Sequence, residues 1–334
     1  MEHTRDDPHP GSWRAWHEEG FPIRVGVSSC LLGEEVRFDG GHKRDGFVAD
    51  VLGRWVEWTA VCPEVEVGMG IPRPAIRIVE SPAGQRLIAP STGEDFTERM
   101  RAFAEARTEE LQELGLDGYV LKKNSPSCGM ERISVYRGEQ RMSRAGVGLY
   151  AETLMRRWPH LPFEEDGRLN DPVLRENFIE RIFCRNRWRT LVRRGVTRGR
   201  LLAFHTAHKM LLRAHNEAGY ARLGRLVASL GLTPDAEVLS LYEDGLQGTL
   251  RTKTTVKKNT NVLQHALGYF KPHLQPAEKR EVLSAIEDYR LGLLPLIVPL
   301  TLLRFNIRKY EVAYLLGQLY FDPHPKELML RNHC

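Results

Sequence analysis

At 334 residues, the chain is long enough for two ordinary domains, and its 42% hydrophobic and 27% charged residues are typical of a globular protein with a substantial core. No apolar run reaches the roughly 20 residues of a membrane-spanning helix, and the polar N-terminus lacks the pattern of a secretion signal. Five cysteines are too few for a disulfide scaffold. We therefore expect a cytoplasmic protein with no membrane partner, whose thiols stay reduced and can act as ligands.

The net charge of +5 is unevenly distributed along the chain. Residues 171–334 contain 26 Lys and Arg against 15 Asp and Glu, whereas residues 1–170 contain 22 against 28. The pattern of predicted elements changes at the same place. The sequence thus predicts a flexible extension over residues 1–20, an α/β domain over residues 21–168 and a basic all-α domain over residues 171–334.

Short β-branched or apolar runs alternate with amphipathic stretches in the first half of the chain. They predict strands at residues 23–29, 57–62, 75–79, 85–89, 118–122 and 161–163, and helices at residues 94–114 and 146–158. Because this alternation implies a mostly parallel sheet covered on both faces, the predicted fold class is a Rossmann-like α/β domain.

The second half of the chain has the periodicity of helices almost throughout. The predicted helices span residues 172–194, 198–218, 220–230, 234–247, 253–270, 276–293 and 307–319. Asp171-Pro172 and Thr233-Pro234 each place a capping residue before a proline at the first helical position. We therefore expect an all-α domain.

Three of the cysteines, Cys30, Cys62 and Cys128, follow predicted strands and are flanked by turn-forming residues. Because ligands bind at the carboxyl ends of parallel strands, these thiols are expected to converge. Three thiolates leave one metal position open for substrate. The lack of Cys-x-x-Cys pairs excludes both the zinc-ribbon and the ferredoxin spacings. An incomplete set of thiolates suits a catalytic cluster and favours iron–sulfur over zinc, although His42 keeps a zinc site open. Cys184 and the C-terminal cysteine are expected to be core or surface residues.

Three segments together resemble the signature of the TudS-type thiouracil desulfidase family over about residues 22–165. They are Ser28-Ser29-Cys30-Leu31-Leu32-Gly33, Cys62-Pro63-Glu64 with Gly70-Ile71-Pro72-Arg73-Pro74, and Lys122-Lys123-Asn124-Ser125-Pro126-Ser127-Cys128-Gly129. The resemblance implies a 4Fe-4S cluster bound by Cys30, Cys62 and Cys128 with one iron free. It also implies catalytic roles for Glu64 and Ser125.

Such a site suggests hydrolysis of a C=S bond with release of hydrosulfide. A soft thiocarbonyl sulfur suits an open iron, Glu64 can act as general acid or base, and Ser125 can hydrogen-bond the developing anion. The reaction is redox-neutral and needs no nicotinamide cofactor. The structural alternatives are that Glu64 caps a turn or pairs with Arg73, and that Ser125 is only a turn residue.

The helical half contains two basic clusters. Eight arginines and no acidic residue lie between Arg181 and Arg200, and a second cluster spans residues 251–259. Such clusters fit contacts with RNA phosphates, and the alternative is a solvated helix face. The candidate RNA-binding residues are Arg185, Arg187, Arg189, Arg193, Arg194, Lys209, Lys253, Lys257 and Lys258. For His205, His208 and His215, packing or phosphate contact is favoured over a metal pair.

Four further segments of this half resemble a helical domain that accompanies the desulfidase domain in the RudS group. They are residues 205–209, 220–224, 261–270 and 295–300. The resemblance implies removal of sulfur from 4-thiouridine in tRNA, with the helical domain binding the tRNA. Two alternatives stay open: a desulfidase of free thiouracil or thionucleosides, and a non-enzymatic RNA-binding protein with a structural metal site.

Overall fold

The computed structural model describes residues 9–82, 84–231 and 234–333. The chain divides into two compact units. One is Pro22–Asp171, called here the α/β unit; the other joins Pro172–Cys334 to the N-terminal residues up to Phe21 and is called the helical unit. Within the described ranges, no helix has both the length and the apolar character needed to cross a membrane.

The first described residues pack within the helical unit. They include a short helix, Trp13–Trp16 (α1). The Trp13 ring meets Phe183 edge to face, and Ser12 Oγ donates to Asp322 Oδ2 at 2.7 Å. The structure therefore shows a packed segment from residue 9 onward, where the sequence predicts a flexible extension over residues 1–20. The reason is that Trp13 is buried and that Trp16, which is partly buried, packs against the core of the helical unit. Residues 1–8 lie outside the described residues.

A four-stranded parallel sheet forms the centre of the α/β unit. Its strands are Arg24–Ser28 (β1), Glu57–Val61 (β2), Gly118–Leu121 (β5) and Phe163–Glu165 (β8), in the order β2-β1-β5-β8. Val27 pairs with Ala60 on one side and with Val120 on the other. All residues of β5 are buried, as expected for a sheet covered on both faces. The predicted α/β class with a mostly parallel sheet is confirmed.

A second four-stranded sheet lies in the same unit, in the order β4-β3-β6-β7. Its strands are Arg77–Ser81 (β3), Gly84–Ile88 (β4), Ile133–Arg137 (β6) and Gln140–Gly146 (β7). The sequence predicts the hairpin of β3 and β4 but not β6 and β7. For β7 the reason is that six of its seven residues are exposed, so this strand has no alternation of apolar and polar residues.

The described residues of the α/β unit also form three α-helices: Pro63–Glu66 (α2), Thr97–Leu114 (α3) and Leu149–Arg157 (α4). Helix α3 ends at Gly115, whose φ of 63° is left-handed and favours glycine. Its apolar face, with Met100, Ala104 and Leu111, belongs to the same core as Leu154 of α4. The same core includes Val61 of β2 and Leu121 of β5, the last residues of two parallel strands.

The helical unit continues with eight helices among the described residues: Pro172–Arg193 (α5), Arg198–His215 (α6), Glu217–Ala228 (α7), Ala236–Arg251 (α8), Val256–Gly268 (α9), Pro276–Arg290 (α10), Ile297–Lys309 (α11) and Ala313–Leu316 (α12). The predicted all-α architecture is confirmed, but the predicted helix at residues 307–319 is wrong. Helix α11 begins earlier because Pro299 lies in its first turn, where N–H groups have no intrahelical partner. Thr233 lies outside the described residues, and α8 is capped by Asp235.

Candidate active site and metal-binding pocket

A pocket of about 240 Å³ lies within the α/β unit, where the parallel strands end. Cys30 lines it from a short 3-10 turn directly after β1, and Cys62 lines it from the position before α2. Cys128 lines it from the loop between β5 and β6. Glu64 and Ser125 line the same pocket. The structure thus brings together the three cysteines and the two polar residues singled out in the sequence.

The residues of the pocket fit an iron–sulfur cluster. Soft thiols are the donor set that such clusters use, and each thiolate binds a different iron. The pocket that the thiols line, at about 240 Å³, is larger than a single ion needs. In the part of the chain that the structure describes, no three His, Cys, Asp or Glu side chains are grouped to hold one metal ion. His42, the candidate for a zinc site, accepts the Arg44 N–H on Nδ1 at 3.1 Å.

The electrostatics of the pocket make the free thiols hold their protons. Burial raises the pKa of Cys30 to about 11, against the opposing effect of the Lys122 cation. Burial likewise raises the pKa of Cys62, and burial together with the Glu64 charge raises the pKa of Cys128. Since thiolates are the metal-binding form, loading with iron must displace these protons.

Lys122 is a pocket residue to which the sequence analysis gave no role. Its Nζ donates to Asp166 Oδ2 at 2.6 Å, and both side chains are largely buried. Its backbone N–H donates to Ser28 Oγ at 3.0 Å, next to β1. The pair therefore fixes a cation beside the Cys30 thiol, where it favours the thiolate form.

The Glu64 carboxylate is held on both of its oxygens. Oε2 accepts from Arg73 Nε at 3.0 Å and from Arg73 Nη2 at 2.7 Å. Oε1 accepts from Ser127 Oγ at 2.6 Å, and Ser125 Oγ is 3.4 Å away. The ion pair with Arg73, which the sequence offered as a structural alternative, is therefore present. Glu64 also lines the pocket.

Ser125 and Ser127 occupy different positions in the same loop. Ser125 Oγ accepts the backbone N–H of Cys128 at 3.1 Å and that of Ser127 at 3.3 Å, so the predicted turn role is real. Ser127 is fully buried and makes the shorter hydrogen bond to Glu64. Ser127 could not be singled out from the sequence, where its only signal is its place next to a cysteine.

Most of the predicted RNA-binding arginines have partners within the helical unit. Arg187 is only 3% exposed and donates to the carbonyl of Pro323 at 2.9 Å, so its predicted RNA contact is wrong, because RNA cannot reach it. Arg185 pairs with Glu243 at 2.8 Å, and both Arg193 and Arg194 pair with Glu18. Arg189 lies over the Phe21 ring.

The predicted RNA-binding lysines differ in exposure. Lys253 and Lys257 are exposed, and Lys209 is half-buried. Lys258 donates to the carbonyl of His215, at the end of α6, at 2.7 Å, and to that of Lys253, in the loop before α9, at 2.9 Å. It therefore links these two segments. The side chains of His205, His208 and His215 are buried and serve packing.

Two family models match the chain. The model described as 2-thiouracil desulfurase matches residues 25–166. The model described as a protein of unknown function, DUF1722, matches residues 209–325. The pocket with its three cysteines lies entirely within the first range.

Individual proteins are similar to parts of the chain. The uncharacterized protein YbgA of Escherichia coli (strain K12) is 33% identical over 158 residues, which are 47% of this chain and 94% of YbgA. The uncharacterized protein YbbK of Bacillus subtilis (strain 168) is 32% identical over 108 residues, 31% of this chain and 71% of YbbK. The solved structure of the 4Fe-4S-dependent thiouracil desulfidase TudS (DUF523Vcz) is 30% identical, covers 45% of this chain and 94% of its own, and has a TM-score of 0.37. Each of these proteins matches less than half of the chain.

Proposed function

Since this chain belongs to the 2-thiouracil desulfurase family through residues 25–166 and continues into a DUF1722 domain over residues 209–325, we propose that it removes sulfur from 4-thiouridine in tRNA. The products are uridine in the tRNA and hydrosulfide. The observation that carries the proposal is the pocket lined by three thiols, Glu64 and Ser125.

Cys30, Cys62 and Cys128 are the residues that would hold a 4Fe-4S cluster in this pocket. When bound, the cluster supplies an open iron position with affinity for the soft sulfur of a C=S group, which it polarises as a Lewis acid. Lys122, held by Asp166, offsets part of the negative charge of the thiolates.

The remaining chemistry falls to side chains of this chain. Glu64 takes a proton from a water whose oxygen bonds to the C=S carbon, and it returns a proton as the C–S bond breaks. Ser125, on the pocket wall, donates a hydrogen bond to negative charge that develops there. Water supplies the oxygen and sulfur departs as hydrosulfide, so neither an oxidant nor a reductant is consumed.

The helical unit supports tRNA as the substrate. Residues 171–334 carry an excess of 11 positive charges over negative ones, which favours binding to a polyanion. Most of the predicted arginines are engaged within the unit: Arg187 is buried, and Arg185, Arg193 and Arg194 are paired with carboxylates. We therefore assign the leading phosphate contacts to the exposed Lys253 and Lys257.

The test is anaerobic reconstitution of the full chain with iron and sulfide, followed by incubation with thiolated tRNA and mass analysis of the nucleosides. The proposal expects 4-thiouridine to be converted to uridine as sulfide appears. Conversion of free thiouracil with none of the tRNA would instead support the free-base enzyme. If neither substrate loses sulfur, and replacing the cysteines lowers only the melting temperature, the metal site is structural.

A further inference from the structure

Two side chains that touch Glu64 have no assigned role: Arg73 and Ser127. We propose that they are positioning residues that together fix the Glu64 carboxylate toward the pocket. This inference rests on the proposed function, in which Glu64 moves protons. It assigns to Ser127, rather than to its neighbour Ser125, the hydroxyl that orients the carboxylate.

Arg73 is itself immobilised. Its side chain is only 2% exposed, and its Nη1 donates to the carbonyl of Gly70 at 3.0 Å while Nη2 donates to that of Val36 at 2.9 Å. Val36 lies in the loop that follows Cys30, and the Cys62 thiol also points at the Val36 carbonyl, at 3.7 Å. The guanidinium that binds Glu64 Oε2 is therefore tied to the segments that carry two of the three cysteines.

Ser127 fixes the other oxygen of the carboxylate. It is fully buried, and its Oγ lies 2.6 Å from Glu64 Oε1, against 3.4 Å for Ser125 Oγ. Ser125 Oγ is already the acceptor for two backbone N–H groups of the loop. Ser125 thus faces the pocket, shapes the loop of Cys128 and contacts Ser127 Oγ at 2.9 Å, whereas Ser127 makes the shorter hydrogen bond to Glu64.

The two contacts together leave Glu64 little rotational freedom. A glutamate side chain has several rotatable bonds, and an unheld carboxylate would populate orientations that do not face the water. Proton transfer requires the carboxylate within hydrogen-bond reach of its target, and small displacements reduce the rate strongly. Holding each oxygen from a different segment, Arg73 on one side and Ser127 on the other, selects one orientation.

The test is a double-mutant cycle on the reconstituted full chain with thiolated tRNA. Ser127→Ala should lower kcat by about 10-fold or more, since a hydrogen bond to a charged group is lost, with KM nearly unchanged. Glu64→Gln keeps the shape of the side chain but removes its proton transfer. In that background Ser127→Ala should have no further effect on kcat.

Iron content and visible absorption of each variant separate positioning from cluster binding. The proposal is supported if Ser127→Ala retains its iron and lowers kcat when Glu64 is present but not in the Glu64→Gln background. An unchanged kcat, an equal loss in the Glu64→Gln background, or loss of iron in Ser127→Ala each overturns it. If the parent protein removes no sulfur from any thiolated substrate, the proposed function fails instead.

A matched pair covers the case in which Ser127→Ala does not fold. Ser127→Thr and Ser127→Val add the same bulk at a fully buried position, but only threonine keeps the hydroxyl. The proposal expects kcat of the threonine variant to exceed that of the valine variant by about 10-fold. Equal kcat values at equal iron content would show that the hydroxyl does not act on Glu64.

Discussion

Replacement of Arg331 by methionine should strongly destabilise the helical unit. Arg331 is buried, and its Nε and Nη2 donate to Glu176 at 3.0 Å and to Glu180 at 2.6 Å. Its Nη1 donates to the carbonyl of Tyr320 at 2.5 Å. Glu180 also contacts His215 Nε2 at 2.9 Å. Without the guanidinium, two carboxyl groups remain buried without their main partner.

The cost can be bounded from these contacts. Breaking a buried ion pair costs about 3–5 kcal/mol. The two pairs do not add, because burial and the Glu180 charge raise the pKa of Glu176. This favours the protonated form of Glu176, so Glu180 carries most of the cost of losing the arginine. For a unit of this size, a loss of this much free energy of unfolding corresponds to a melting temperature lower by roughly 6–20 °C.

The assay is chemical denaturation of the full chain, with hydrogen exchange resolved by segment so that each unit is followed separately. Exchange in α5 and α11 should accelerate, whereas exchange in α3 of the α/β unit should not. Arg308→Met, on the exposed part of α11, is the matched control and should change the free energy of unfolding by less than about 0.5 kcal/mol. A cost below about 1 kcal/mol for Arg331→Met, as for an exposed pair, would refute the reasoning.

Three further predictions concern the cluster, the RNA and pH. Replacing Cys30, Cys62 or Cys128 by alanine should abolish iron binding after reconstitution. The control Cys184→Ala, at a buried position of the helical unit, should retain the iron. Equal iron content in all four variants would contradict the assignment of the three ligands. Replacing both Lys253 and Lys257 by glutamine should reduce the magnitude of the slope of log affinity for tRNA against log salt by about 1.4–1.8. The same charge change at the exposed Lys279 and Arg280 should leave the slope nearly unchanged. Equal slopes for the two double variants would show that Lys253 and Lys257 do not contact the tRNA. Burial lowers the pKa of His205 and of His324 from 6.5 to about 4. Between pH 6.5 and 4 the unfolded chain therefore binds more protons than the folded one, and stability should be lost as the pH falls through this interval. A melting temperature that stays constant from pH 6.5 to 4 would exclude this coupling.

The sequence predicted the site best where the position of a residue follows from the end of a predicted strand. Cys30 and Cys62 directly follow strands of a parallel sheet, so their convergence could be predicted from periodicity alone. The Glu64–Ser127 hydrogen bond joins residues 63 apart and leaves no periodic signal. Only the folded loop shows which of two serines reaches the carboxylate.

The arginine-rich stretch shows the opposite case. Charge density alone favoured RNA contacts for the whole stretch, but helix α5 is central to its unit and buries Arg187 against a carbonyl 136 residues away. Acidic partners such as Glu18 and Glu243 lie outside the stretch, so no local window of sequence contains the pairs. A run of like charges cannot reveal whether distant residues neutralise it.

The course of the chain makes the α/β unit an insertion within the helical unit. The chain leaves the helical unit after Phe21 and re-enters it at Pro172, and the guanidinium groups of Arg189 and Arg193 lie over the Phe21 ring. During synthesis the inserted unit is complete before the helices that cover Trp13 and Trp16 exist. Isolating it therefore requires two cuts, after Phe21 and after Asp171, because a single C-terminal cut would leave both tryptophans uncovered.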